Sequence, residues 1–138
     1  ANILPLYHGS KTCNFVKILP TQLKLPRNNF TISGAMFSGG AGGLYFASNA
    51  SKSCQYSSTA NSFYSKGNDN KGYLFIADVI LGKQHIATRP YPFTLDHIKP
   101  AISVFAKRGS SVINDEMIVF SENHDWLRYI VEFETNLR

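Results

Sequence analysis

The chain has 138 residues, 43% of them apolar, 13% aromatic and 17% charged, with a formal charge of +5 from 14 basic and 9 acidic residues. That is enough chain for one hydrophobic core, too little for two, and too apolar for a disordered segment. No apolar run approaches the roughly 18 residues of a membrane span. The two cysteines, Cys13 and Cys54, make neither a zinc pattern nor a disulfide framework, and both are expected in helices as buried or half-buried free thiols.

In chain order, the first predicted element is a short strand at residues 3–8. A helix at 12–19 follows, with Ser10 as its cap and Phe15, Ile18 and Leu19 at helical spacing. Pro20 and Pro26 keep the next stretch out of helix. The glycine-rich residues 33–43 predict a mobile loop leading into a strand at 44–47, and Ser48 or Asn49 then caps a helix running to about Tyr56. Residues 61–71 are polar, with Gly67-Asn68-Asp69-Asn70 as a turn cluster. Residues 73–81, apolar apart from Asp78, predict a central strand buried on both faces. Residues 85–99 hold Pro90 and Pro92 and little periodicity; strands are expected at 103–107, 116–121 and 127–134. Short strands with two helices point to an α+β domain on mainly antiparallel sheets. Residues 1–6 have no basic region, so 1–138 reads as a single domain excised from a longer protein.

Gly39-Gly40-Ala41-Gly42-Gly43 has no Gly-Lys-Ser/Thr ending, and the third glycine of a dinucleotide fingerprint would fall on Tyr45, so both nucleotide-loop readings fail. A flap or a solvated loop is what remains. Ser53 and Tyr56, three apart, share one helix face. A flat heteroaromatic amide between Tyr45 and Tyr56 would gain about 0.5 to 1.5 kcal/mol per contact from stacking, with Ser53 donating to its oxygen. Gly9, after His8, lets a ligand reach the backbone N–H and C=O. Asp115 and Glu116 are adjacent on a strand and point to opposite faces, so only one can serve a cleft; the other is expected to be solvated or to pair with Arg108 or a lysine. Taken singly, each of these residues is more often structural than functional.

Together, Leu6-Tyr7-His8-Gly9-Ser10-Lys11 with Asn14-Phe15 and Ile18-Leu19, Gly34-Ala35-Met36-Phe37, Gly43-Leu44-Tyr45-Phe46-Ala47 with Ser51-Lys52-Ser53 and Tyr56, and Asp115-Glu116-Met117-Ile118-Val119 resemble the catalytic domain of the poly(ADP-ribose) polymerase family of ADP-ribosyltransferases. The resemblance implies the ADP-ribosyltransferase fold, with two packed sheets forming an NAD+ cleft. It implies His8, Tyr45 and Glu116 as the catalytic set. His8 and Ser10 would bond the adenosine-side ribose, Gly9 and Ser53 the nicotinamide amide, and Glu116 the 2′-hydroxyl of the nicotinamide ribose. Tyr45 and Tyr56 would stack on the nicotinamide ring. Lys52 would sit beside Glu116 and keep it ionised, and Phe46 and Ala47 complete the NAD+-binding residues. NAD+ is then a substrate, and no metal is expected.

The sequence departs from the family pattern at Ala35, where an aromatic often stands, in its longer glycine loop, and in having only residues 108–114 before the catalytic strand, where polymer-forming members carry a long acceptor loop. The expected activity is therefore transfer of single ADP-ribose units to a macromolecule, protein or nucleic acid, by a monomer acting in the cytoplasm or nucleus. Small size suits a toxin or effector domain, with an inhibitory partner protein in that case. The alternatives are an NAD+ glycohydrolase and a noncatalytic module binding NAD+ or ADP-ribose.

Overall fold

Alternation decides which way the strands face. In β2 (Leu44–Ala47), Leu44 and Phe46 enter one core cluster while Tyr45 packs against the other; in β6 (Glu116–Val119), Met117 and Val119 join the first and Ile118 the second. This period of two gives the sheet an apolar layer on each side. The computed structural model of the protein describes residues 2–25, 36–39, 42–60, 62 and 67–135. The remaining strands are β1 (Ile3–Gly9), β3 (Lys71–Ile80), β4 (Gln84–Ala87), β5 (Ser103–Ala106) and β7 (Asp125–Glu134), and the sheet order is β4-β5-β6-β2-β1-β3-β7.

Two halves meet within this order. On one side β1, β3 and β7 are joined by long antiparallel ladders; on the other, β2, β6 and β5 pair in register from Leu44↔Val119 to Ala47↔Glu116 and from Ser103↔Val119 to Ala106↔Glu116. Between the halves β1 and β2 share a single register pair, Tyr7↔Ala47. The expected α+β architecture is present, with its two sheets continuous through that pair. β4 and β5 run parallel, so the chain must cross over between them; it does so through residues 88–102, which carry α3 (Leu95–Ile98).

Neither β4 nor α3 is visible in the sequence pattern. Only Ala87 of β4 and Ile98 of α3 are buried, too few positions to show a period. β3 is buried less evenly than expected: Phe75, Ala77 and Val79 are fully enclosed, whereas Ile76, Asp78 and Ile80 are half-buried, and Asp78 accepts from Arg128 at 2.8 Å.

The first helix is shorter than its apolar spacing suggests. A 3-10 turn (Thr12–Asn14) leads into α1 (Phe15–Thr21), and Ser10 caps neither; its hydroxyl instead accepts from the Asn14 amide at 2.9 Å. Pro20 lies inside α1 rather than ending it. The bond it forgoes would reach the Val16 carbonyl, and Val16 is exposed, so water can take that carbonyl's place. Phe15 anchors the helix, stacking on Phe75 with centroids 4.2 Å apart. α2 (Ala50–Cys54) is capped by Asn49, whose side chain accepts from Ser51 N at 2.9 Å, and it stops before Tyr56. Both cysteines are free thiols, but Cys13 is exposed and lies in the 3-10 turn, whereas Cys54 is half-buried. Of the expected glycine loop, residues 33–35, 40 and 41 lie outside the described residues, as do Pro26 and parts of the polar stretch 61–71. Its described ends are pinned: Gly39 N donates to Phe93 O at 2.8 Å and Gly42 N to Gly39 O at 3.0 Å.

On the outer margin β7 pairs, among the described residues, only with β3, and Trp126, Tyr129, Ile130 and Val131 are all exposed.

Candidate active site

A cavity of about 460 Å³ opens where β1 and β2 part, a volume suited to a small-molecule ligand. His8, Gly9, Ser10, Tyr45, Phe46, Ala47, Lys52, Ser53, Tyr56 and Glu116 all line it, so the residues singled out in the sequence meet in one place.

β1 delivers His8, whose Nδ1 lies 2.8 Å from the carbonyl oxygen of Tyr45 on β2. A carbonyl can only accept, so Nδ1 carries the proton. Burial holds the ring's pKa below its ordinary value, outweighing the carbonyl bond. His8 is therefore neutral near pH 7, and Nε2 is left as a hydrogen-bond acceptor. The ring also packs on Phe46, with centroids 5.6 Å apart.

Gly9 is needed for packing as well as for any ligand. A Cβ there would fall 1.9 Å from the backbone oxygen of Ser53, so only glycine lets α2 lie against β1. Ser53 is buried, and the turn after α2 closes with Tyr56 N donating to Ser53 O at 3.1 Å. Ser53 and Tyr56 thus come together through a turn beyond the helix instead of along one helical face. Tyr45 lines the cavity and packs against the second apolar cluster, while its hydroxyl accepts from Phe37 N at 3.1 Å and lies 2.9 Å from Ser38 Oγ. Burial raises its pKa, so it remains a phenol at neutral pH.

Glu116 enters from β6, opposite Ala47, and is 4% exposed. Lys52 Nζ lies 3.2 Å from its Oε1. Burial pushes the Glu116 carboxyl up and Lys52 opposes that push without cancelling it, so the net shift is upward. The expected pairing is present, but desolvation outweighs it in setting the carboxyl's proton affinity. Asp115 turns away, accepting from the backbone N–H of Arg108 at 2.7 Å. That closes the short β5–β6 connection and leaves one carboxylate for the cleft.

The sequence did not reveal the cavity's second wall, made by α1 and the strap that follows it, including Lys17, Ile18, Thr21, Leu23 and Lys24. The strap turns at Gln22, which adopts φ 63°, and is tied down where Leu25 N donates to Glu122 at 2.9 Å and Leu127 N donates to Gln22 at 2.8 Å. The polar residues Asn14, Lys17 and Thr21, spaced along one side of α1, were the available signal. Among the described residues no group of three or more His, Cys, Asp or Glu side chains is placed to hold a metal ion.

The cavity thus has a neutral histidine, a tyrosine and a buried glutamate on its walls. The poly(ADP-ribose) polymerase catalytic-domain family matches residues 1–108, and the chain belongs to that family of ADP-ribosyltransferases, whose enzymes use NAD+ as substrate. It is 34% identical over 80 residues, 58% of this chain, to poly [ADP-ribose] polymerase 1 of Danio rerio, and 34% identical over 88 residues, 64% of the chain, to that of Arabidopsis thaliana. It is 29% identical over 140 aligned positions, 96% of the chain, to the protein mono-ADP-ribosyltransferase PARP4 of Homo sapiens. The chain spans only 7% to 8% of the length of these relatives.

Proposed function

We propose that this domain cleaves NAD+ and transfers single ADP-ribose units to a macromolecular acceptor, protein or nucleic acid. The observation that carries this reading is the convergence of His8, Tyr45 and Glu116 on one cavity, with Glu116 held beside Lys52. The bond between ribose C1′ and the nicotinamide nitrogen breaks, its electron pair neutralises the pyridinium, and nicotinamide leaves. The ribose becomes cationic at C1′, as in glycoside hydrolysis. The acceptor's nucleophile then bonds C1′ and gives up its proton. Ionised Glu116, bonded to the 2′-hydroxyl, stabilises the cation more than the ground state. Tyr45 and Tyr56 hold the leaving ring, Ser53 and the Gly9 backbone hold its amide, and His8 Nε2 with Ser10 anchors the far ribose.

Single-unit transfer is favoured by the short connection between β5 and β6, closed on itself by the Arg108–Asp115 bond, which leaves little chain to position a growing polymer. A basic surface favours an acidic protein or nucleic acid as acceptor. A monomer acting in the cytoplasm or nucleus, as an effector or toxin with its own inhibitor protein, is the biological setting we infer.

Incubation with NAD+ labelled on the adenylate, followed by protease or nuclease digestion, tests the reaction and names the acceptor class. Label should become macromolecular, and Glu116→Ala should lower the rate by roughly a hundredfold to a thousandfold, about 3 to 4 kcal/mol. Nicotinamide release with label remaining in free ADP-ribose would make the domain a glycohydrolase. Equal, negligible turnover by wild type and Glu116→Ala would make it a binding module.

A further inference from the structure

NAD+ carries two phosphate charges between its ribose groups, and three lysines line the cavity: Lys17, Lys24 and Lys52. Two of them already face carboxylates. Lys52 lies 3.2 Å from Glu116, and Lys24 lies 3.3 Å from Glu122 on the far side of the strap. No carboxylate among the described residues lies within ion-pair distance of Lys17, which stands exposed on α1. Asn14, Lys17 and Thr21 follow each other at three- and four-residue steps and share one side of the helix. At the start of that side, the Asn14 amide donates to Ser10 Oγ at 2.9 Å. The Ser10 hydroxyl proton is thereby left to be given to an acceptor in the cavity.

We propose that this side of α1 is the diphosphate wall of the cavity, with Lys17 pairing the phosphates of the bound dinucleotide next to the Ser10 hydroxyl that holds the far ribose. The inference rests on the NAD+ reading and adds to it a residue that selects for the dinucleotide over its nicotinamide fragment. An ammonium on a flexible stem is suited to a diphosphate that passes the mouth of a cleft, because it needs no fixed fork geometry. The geometry also divides the site's work. The nicotinamide end is gripped by neutral groups and rings, and the anionic middle by a cation that takes no part in the Glu116 pair.

Steady-state kinetics of wild type, Lys17→Met and Lys17→Arg, with nicotinamide as a competing ligand that lacks phosphate, test this. Lys17→Met should raise KM for NAD+ about tenfold, with the loss falling on KM rather than kcat. It should weaken the dependence of KM on salt and leave inhibition by nicotinamide unchanged, while Lys17→Arg should restore most of the affinity. An unchanged KM in Lys17→Met would overturn the assignment, as would an equal loss of nicotinamide inhibition, which would mark a distorted pocket. If wild type neither binds nor consumes NAD+, the functional reading falls and takes this inference with it. If wild type uses NAD+ and Lys17→Met uses it equally well, the inference alone is lost.

Discussion

Asp125 opens β7 with its side chain buried and, among the described residues, no hydrogen-bond partner for either carboxylate oxygen. Burial, aided by the nearby charge of Glu122, raises its pKa from 3.8 to about 7. The folded chain therefore binds this proton more tightly than the unfolded chain does. The residue favours folding most at pH values below its unfolded pKa, and that contribution is lost as pH rises through about 7. Asp125→Asn should raise the melting temperature at pH 8 and flatten its fall between pH 5 and 8, as read by differential scanning fluorimetry. The ceiling on the gain is about 4 kcal/mol, less what the buried amide costs. The same logic applied to Glu116 concerns activity. Its carboxyl is raised by burial and lowered by Lys52, so Lys52→Met should move the acidic limb of the kcat/KM profile to higher pH. A limb that stays in place would show that Lys52 does not control this titration. His8, Tyr45 and Glu116 were legible in the sequence only as a set, because each alone is an ordinary strand residue. Lys17 showed only as part of the polar spacing of Asn14, Lys17 and Thr21, and Asp125 not at all, since which described carboxylates and donors reach each of them is set by neighbours distant in sequence.

At the scale of elements, α2 depends on a contact it does not itself encode. Its approach to β1 requires Gly9, and Gly9→Ala would drive a methyl group into the Ser53 carbonyl. The substitution should shift α2, raise KM for NAD+ by tenfold or more and lower stability by about 1 to 3 kcal/mol; thermal melts and NAD+ titration measure both. β3, whose apolar run is broken only by Asp78, was readable from its pattern, and β2 and β6 also carry two or more buried apolar positions, whereas in β1 Leu6 alone is buried. β4 and α3 were not readable, because four residues with one buried position each carry no period, and α3 is fixed by its Thr94 and His97 cap. Ser10 resembled a helix cap and instead serves Asn14, because the 3-10 turn at Thr12–Asn14 starts the helix later than the apolar spacing suggests.

For the whole molecule, the decisive feature is that the halves of the sheet touch at one backbone pair and diverge around the cavity. One apolar cluster joins Leu6, Ala77 and Val79 of one half to Leu44, Phe46, Met117 and Val119 of the other, so the halves share a core, and the cavity is lined in part by that core's Leu23, Leu44 and Phe46. A ligand filling the cavity would touch both halves, since His8 and Gly9 line it from β1 and Tyr45, Ala47 and Glu116 from β2 and β6. The opposite margin of the sheet has a different consequence. β7 is ten residues long, and its outer N–H and C=O groups meet no other strand among the described residues, while apolar side chains project from both of its faces. Such a margin is a template for any extended chain that meets it. Concentrated solutions of the folded protein should therefore fail by sideways growth into fibres well below the melting temperature. Placing lysine at Tyr129 and Val131 should raise the concentration at which light scattering begins while leaving NAD+ turnover intact, and unaltered scattering would show that the edge is already shielded.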